Sequence, residues 1–289
     1  MELTPTAKIR SRTQSPSSIL LYKQCPRKYY YRYIKKLPTS PSIHLVRGSI
    51  AHQVMEDIYA VNLNHIPESQ FLITLKVIIQ EMFKKEWDAA AEQFAELNMS
   101  AEELAQYRAE TQTMMHNFFH YLVDRLKLTG KPLKEAFASE QPEREVRLQS
   151  DHHGVMGYAD AIQQEGSKIL ILDYKTSKKA EITDDYRLQL SIYGMLYEEL
   201  AKLPDDVGIF FLKHGRELRI PMTPLMASRA KEEVAAVHDG TRSREIDDYP
   251  KKPSYLCKWS TGQCDFYNEC FGQKSLNDFR SELVQIGKK

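Results

Sequence analysis

Two aspartates and a lysine are the residues of this sequence best suited to chemistry. Asp160 ends the run Gly157-Tyr158-Ala159-Asp160, and Asp173 and Lys175 belong to Asp173-Tyr174-Lys175-Thr176. Both runs read as the ends of adjacent β-strands. Side chains alternate faces along a strand, so Asp173 and Lys175 point one way and Tyr174 the other. The preceding residues, Lys168 to Leu172, are continuously apolar after the lysine, as in a strand buried on both faces. A charged Asp-x-Lys at the end of such a strand is costly unless the groups bind something. Divalent metal and phosphate are the natural candidates, since Mg²⁺ takes one or two carboxylates and keeps several waters.

The elements that must position these residues follow from pattern. Ser15-Pro16-Ser17 reads as a helix start leading into residues 18–34. After Pro38 and Pro41, a second helix is expected around 46–61 and carries His52. Apolar residues at helical spacing over 66–97 and 101–128 predict a helical block. From Glu143 the pattern changes to strands: 144–149, 154–162 and 168–174 form a meander, turning at His152-His153 and at Gly166. A helix over 184–202 places Gln189 and Tyr193 on one face, at i and i+4. Strands near 207–213 and 217–220, hinged at His214-Gly215, and a helix over 224–239 complete the pattern. Glu145, heading the first strand, reads either as a supporting acid behind the site or as a solvated edge residue. His152 and His153, in a turn, read as surface residues.

The chain has 289 residues, 42% hydrophobic and 27% charged, with a net charge of +1. Those values suit a soluble globular protein and exclude a uniformly basic nucleic-acid coat. With neither a long apolar run nor a signal-like start, the expectation is a cytoplasmic protein with no membrane partner. Charge is uneven, however. Residues 1–36 carry nine Lys and Arg against the single acid Glu2. Arg27, Lys28, Tyr29 and Arg32 interleave cations with aromatics, as a nucleic-acid backbone with stacking bases would require. The alternative is a helix whose tyrosines pack inward while its charges face water.

Four cysteines complete the inventory: Cys25, then Cys257, Cys264 and Cys270. Four thiolates can hold a [4Fe–4S] cluster or a structural zinc, and either would staple distant parts of the chain together.

The order Gly48-Ser49-Ile50-Ala51-His52, Gly157–Asp160, Asp173–Thr176 and Gln189–Tyr193, opened by Pro16-Ser17-Ser18 and Tyr22-x-x-Cys25-Pro26-x-Lys28-Tyr29, resembles the RecB-like branch of the PD-(D/E)XK nuclease superfamily. The resemblance runs from about Ser15 to Cys270. It implies an α/β, restriction-endonuclease-like core: a central mixed β-sheet flanked by helices, with an N-terminal helical insertion and a C-terminal cysteine cluster. The chain then reads as one nuclease domain over 1–289, with a flexible tail at 1–14 and a helical block at 46–130. The catalytic sheet and helix fall at 143–222, and an iron–sulfur staple is formed by 250–273 with Cys25.

By the same resemblance His52, Asp160, Asp173 and the backbone carbonyl of Tyr174 would hold Mg²⁺ or Mn²⁺. Lys175 would orient or help deprotonate the attacking water, Gln189 would steer Lys175 or the phosphate, and Tyr193 would touch the DNA strand. The one-plus-three cysteine layout is similar to the branch's iron–sulfur subgroup, which includes a CRISPR-associated spacer-trimming nuclease and a helicase–nuclease subunit. Cys257 and Cys264 are separated by six residues where that subgroup has two. The implied activity is a metal-dependent DNA exonuclease on single-stranded or frayed ends, working beside a helicase or CRISPR adaptation partner. A non-catalytic DNA-end-binding adaptor is the competing reading, and zinc is the alternative to iron–sulfur.

Overall fold

The computed structural model describes residues 12–260 and 262–272, so part of the expected 1–14 tail and residues 261 and 273 of the 250–273 segment lie outside the described residues. Where the sequence reads as one domain, the chain contacts group into two compact units. One comprises residues 41–150 and 156–231, and the other comprises the described residues among 12–40, 151–155 and 232–272.

The larger unit is built on a five-stranded sheet in the order β1 (Glu143–Ser150), β2 (Val155–Glu165), β3 (Lys168–Lys175), β4 (Asp206–Phe211) and β5 (Arg216–Pro221). The β2–β3 pair is antiparallel, with Ala161 opposite Leu172, because Gly166 at φ +63° permits the tight turn between them. The β3–β4 pair is parallel, with Asp173 opposite Ile209, and β4–β5 is antiparallel again. Parallel neighbours need a long crossover. Here it is α8 (Asp184–Leu200), started by the Thr183 hydroxyl accepting from the Tyr186 N–H.

Alternation sorts β3 as expected. Leu170, Leu172 and Tyr174 join the apolar cluster of the helical block, while Asp173 meets Gln189 of α8. The block consists of α3 (Ile43–Asp57), α4 (Phe71–Ala89), the short α5 (Ala91–Ala95), α6 (Ala101–Leu128) and α7 (Leu133–Ser139). α6 begins in a capping box. Ser100 accepts from the Glu103 N–H at 3.1 Å, and the Glu103 carboxylate accepts from the Ser100 N–H at 2.9 Å. Phe71, Leu75, Phe118 and Leu122 are buried in the block. Each such side chain contributes about 1.5–3 kcal/mol of burial free energy.

In the smaller unit the expected helix over 18–34 is broken. α1 (Pro16–Gln24) stops at Cys25 because Pro26 has no N–H to continue the ladder. α2 (Pro26–Tyr29) follows and widens into a π-helical turn at Tyr30–Ile34. Tyr29, Tyr30 and Tyr31 pack with Tyr249 and Phe266 into a separate aromatic core. The later residues supply the second half of α9 (Pro224–Gly240), a small hairpin of β6 (Lys258–Trp259) and β7 (Gly262–Gln263), and α10 (Tyr267–Phe271). Among the described residues no helix is long and apolar enough to cross a membrane.

Candidate active site

The pairing of β2 with β3 ends at Ala161 and Leu172, and a side chain takes over from there. The Tyr174 N–H donates to the Asp160 carboxylate (Oδ2) at 2.6 Å, which fixes Asp160 against the end of β3. Asp173 is 3% exposed. Its Oδ1 accepts from Gln189 Nε2 at 3.0 Å, and Lys175 Nζ lies 2.6 Å from its Oδ2 as an ion pair rather than an aligned hydrogen bond. Burial raises the Asp173 pKa, and the nearby Asp160 charge adds to it, against the opposing pull of Lys175. Burial acts to lower the Lys175 pKa, yet the Asp173 carboxylate holds it above the ordinary lysine value. Lys175 is therefore an ammonium in this state. It can orient a water or offset phosphate charge, but it is not poised to accept a proton.

His52, on α3, faces the same place. Its Nε2 is 3.0 Å from the Tyr174 carbonyl oxygen and its Nδ1 is 3.4 Å from Asp160 Oδ1. Burial works against the imidazolium, but the hydrogen bond and charge of Asp160 raise the His52 pKa overall. The two ring nitrogens thus face a carbonyl and a carboxylate, where a cation can take the place of a proton. The 3.0 Å separation of His52 Nε2 from the Tyr174 oxygen is an ordinary hydrogen bond, and both atoms would also be donors to a divalent cation. One further acid joins them, since ligand atoms of His52, Glu145 and Asp160 all lie within 4.8 Å of one another. Glu145 sits at φ +47° within β1, a left-handed conformation that ordinary residues avoid. This cluster of nitrogen and hard-oxygen donors suits a divalent cation, with Asp173 and Lys175 forming a charged pair beside it.

The sequence profile of the PD-(D/E)XK nuclease superfamily matches residues 13–271. The chain belongs to that superfamily. Its five-stranded mixed sheet flanked by helices is the restriction-endonuclease-like core the motifs imply. Superfamily members are nucleases that use divalent metal. The crystal structure of a "Putative exonuclease" from Eubacterium rectale is similar at 12% identity and TM-score 0.49, over 96% of this chain and 95% of that one. The crystal structure of SSO0001 is similar at 16% identity and TM-score 0.30, over 59% of this chain and 79% of that one. No curated protein matches the sequence.

Other motif residues of this superfamily member fall in less uniform surroundings. Gln189 Nε2, besides holding Asp173, lies 3.1 Å from the Tyr193 hydroxyl and donates to it. Tyr193 is only 5% exposed, and burial raises its pKa. The expectation that Tyr193 touches the DNA strand is corrected: the ring packs inside, and its hydroxyl positions Gln189.

The expected basic, aromatic DNA surface is also corrected in part. Tyr29 is fully buried, stacked on Tyr249 with 7° between the rings, and its hydroxyl bonds Gln14. It offers no face to a base. Arg27 Nε donates to the Tyr249 carbonyl at 2.6 Å, a structural tie, whereas Arg32 is exposed. Lys28 lines a cavity that also gathers Cys25, Cys257, Cys264 and Cys270. Burial first, then the neighbouring Cys25 thiol, pushes Cys270 up to about 11. No three of the four sulfurs lie mutually within 4.8 Å. Tetrahedral zinc with 2.3 Å bonds would bring them to about 3.8 Å.

The acid that sequence reasoning placed least firmly is Glu145. Its signal was an acidic residue in the strand bordering the Asp160 strand. Nothing in the local pattern marked the left-handed backbone at that position.

Proposed function

We propose that the chain is a Mg²⁺- or Mn²⁺-dependent deoxyribonuclease, an exonuclease on single-stranded or frayed DNA ends. The observation that carries this reading is the His52, Asp160 and Tyr174-carbonyl donor set beside the buried Asp173–Lys175 pair. In this reading His52, Asp160, the Tyr174 carbonyl and, once DNA is bound, Asp173 hold the cation. The chemistry supplied by bound Mg²⁺ or Mn²⁺ is acidification of a water and neutralisation of charge on the scissile phosphate and leaving oxygen. Lys175, held as an ammonium, orients the attacking water and offsets phosphate charge. Gln189 fixes the Asp173 carboxylate through Oδ1, and Tyr193 fixes Gln189. The products are a 5′-phosphate and a 3′-hydroxyl.

The cysteine cavity is read as the seat of a [4Fe–4S] cluster held by Cys25, Cys257, Cys264 and Cys270. The convergence of four thiols on one cavity supports this. The cellular role would lie in DNA repair or recombination, phage DNA metabolism or CRISPR adaptation. The partners are DNA and a helicase or CRISPR adaptation factor, in the cytoplasm.

The test uses strand-labelled DNA with either end blocked, in Mg²⁺ or Mn²⁺. The wild type should degrade it from a free end, and Asp173→Ala and Lys175→Ala should not. Activity surviving in both variants overturns the assignment. A wild type that binds ends yet never cuts, under any metal, establishes the adaptor instead. Iron, sulfide and zinc analysis of anaerobically purified protein decides the content of the cysteine cavity.

A further inference from the structure

The structure assigns Glu145 as a further protein ligand of the active-site cation, supplying the second carboxylate of the DNA-free donor set. This inference rests on the metal-dependent reading above. Three observations lead to it. A Glu145 carboxylate oxygen lies within 4.8 Å of ligand atoms of both His52 and Asp160. Asp173, the carboxylate the motif would lead one to expect there, has both oxygens engaged, one by Gln189 and one by Lys175. The Glu145 carboxylate has no hydrogen bond or ion pair to any described residue, whereas the side chains of Asp160, His52 and Asp173 are each held by a neighbour.

The placement is not an accident of regular strand geometry. Regular alternation fixes the face each residue of β1 presents, and the left-handed backbone at Glu145 interrupts that alternation. The donor chemistry is coherent: the carboxylates of Glu145 and Asp160, the His52 imidazole and the Tyr174 carbonyl would be the DNA-free donors, a set of hard oxygens and one nitrogen suited to Mn²⁺. Asp173 is then free to keep Lys175 in place until the nucleic acid arrives.

Calorimetric Mn²⁺ titration of the DNA-free protein, with Mn²⁺ electron paramagnetic resonance as a second readout, tests this. Glu145→Gln should weaken Mn²⁺ binding by at least about tenfold and change the resonance of bound Mn²⁺. Glu145→Asp, which keeps the charge but shortens the reach, should weaken it too. Unchanged affinity in Glu145→Asp means the residue acts only as a nearby charge and overturns the inference. Unchanged affinity in Glu145→Gln, with or without a lowered Tm, overturns it as well. Asp160→Asn is the control that separates the two readings. If Asp160→Asn also leaves Mn²⁺ affinity intact, the metal-dependent reading itself fails. If it abolishes binding while both Glu145 variants bind normally, only the role of Glu145 is lost.

Discussion

The two ends of the β2–β3 hairpin both gather charged residues, yet they are arranged oppositely. At the turn end, the Glu165 carboxylate receives a bidentate pair from Arg219, at 2.6 and 2.9 Å, and a third bond from Arg125 at 2.8 Å. Glu217 joins through Arg219 and the Tyr121 hydroxyl. Two carboxylates face two guanidiniums, and Glu165 is held down to about 2, chiefly by its hydrogen bond from Arg219. At the far end, Glu145, Asp160 and Asp173 face one ammonium and one imidazole. There the pKa of Asp173 is raised by burial and that of Glu145 by burial and the neighbouring Asp160. A balanced cluster is a staple that needs nothing more. A cluster short of positive charge stores electrostatic stress that a divalent cation relieves. The same sheet thus separates a structural end from a chemical one.

The sharpest way to break this contrast is to exchange the consequences of mutation. Asp173→Ala or Lys175→Ala should lower metal-dependent cleavage on the order of a thousandfold. Glu165→Gln should leave it within about twofold, as measured by initial rates on labelled DNA. Ligand-induced stabilisation comes next. At a hundredfold excess over Kd, Mn²⁺ should stabilise the wild type by about 2.7 kcal/mol. Asp160→Asn should lose that gain in a thermal-shift titration, and Glu165→Gln should keep it. Gln189→Ala should reduce kcat by about 10- to 100-fold with little change in Mn²⁺ affinity, because it positions Asp173 rather than serving as a ligand. Tyr193→Phe should follow in the same direction with a smaller effect.

The smallest effect belongs to the balanced end and appears in stability rather than rate. Glu165 has a folded pKa below its unfolded one. Its contribution is therefore present above about pH 4.5 and is lost as pH falls toward 2. With the group about a third exposed, Glu165→Gln should cost about 1–2 kcal/mol at pH 7. In urea melts the gap to wild type should close progressively as pH falls from 4.5 to 2. A gap that widened with acid would contradict the pairing.

Much of the sheet was legible because its signals are local. The apolar run of β3, the Gly166 turn and the alternation that sets Asp173 and Lys175 opposite Tyr174 all follow from residue order. The helix over 101–128 was read from its apolar spacing, and the Ser100–Glu103 box caps it at that start. Less visible was whatever depends on three-dimensional neighbours. Pro26 marks a break in the first helix, but that Tyr29 stacks on Tyr249, some 220 residues later, is a packing fact no local pattern contains. The same tyrosine-and-cation composition fits a DNA surface and an aromatic core equally well, and burial decided for the core at Tyr29. Glu145 was ambiguous for a related reason. A strand acid can face solvent or a site, and the left-handed backbone that distinguishes this one is a property of the folded sheet.

The discontinuity of the smaller unit has a consequence for the chain as it is made. Residues 12–40 group in one unit with the described residues from 232 to 272, while the larger unit is drawn almost wholly from the stretch between. At about 5–20 residues per second, the ribosome needs roughly 10–50 s to travel from Cys25 to Cys257. During that interval the nuclease sheet and its helical block can condense, but the Cys25 thiol has no partners. The cysteine cavity therefore closes after the nuclease sheet has been made, and whatever it holds must be loaded once Cys270 has been translated.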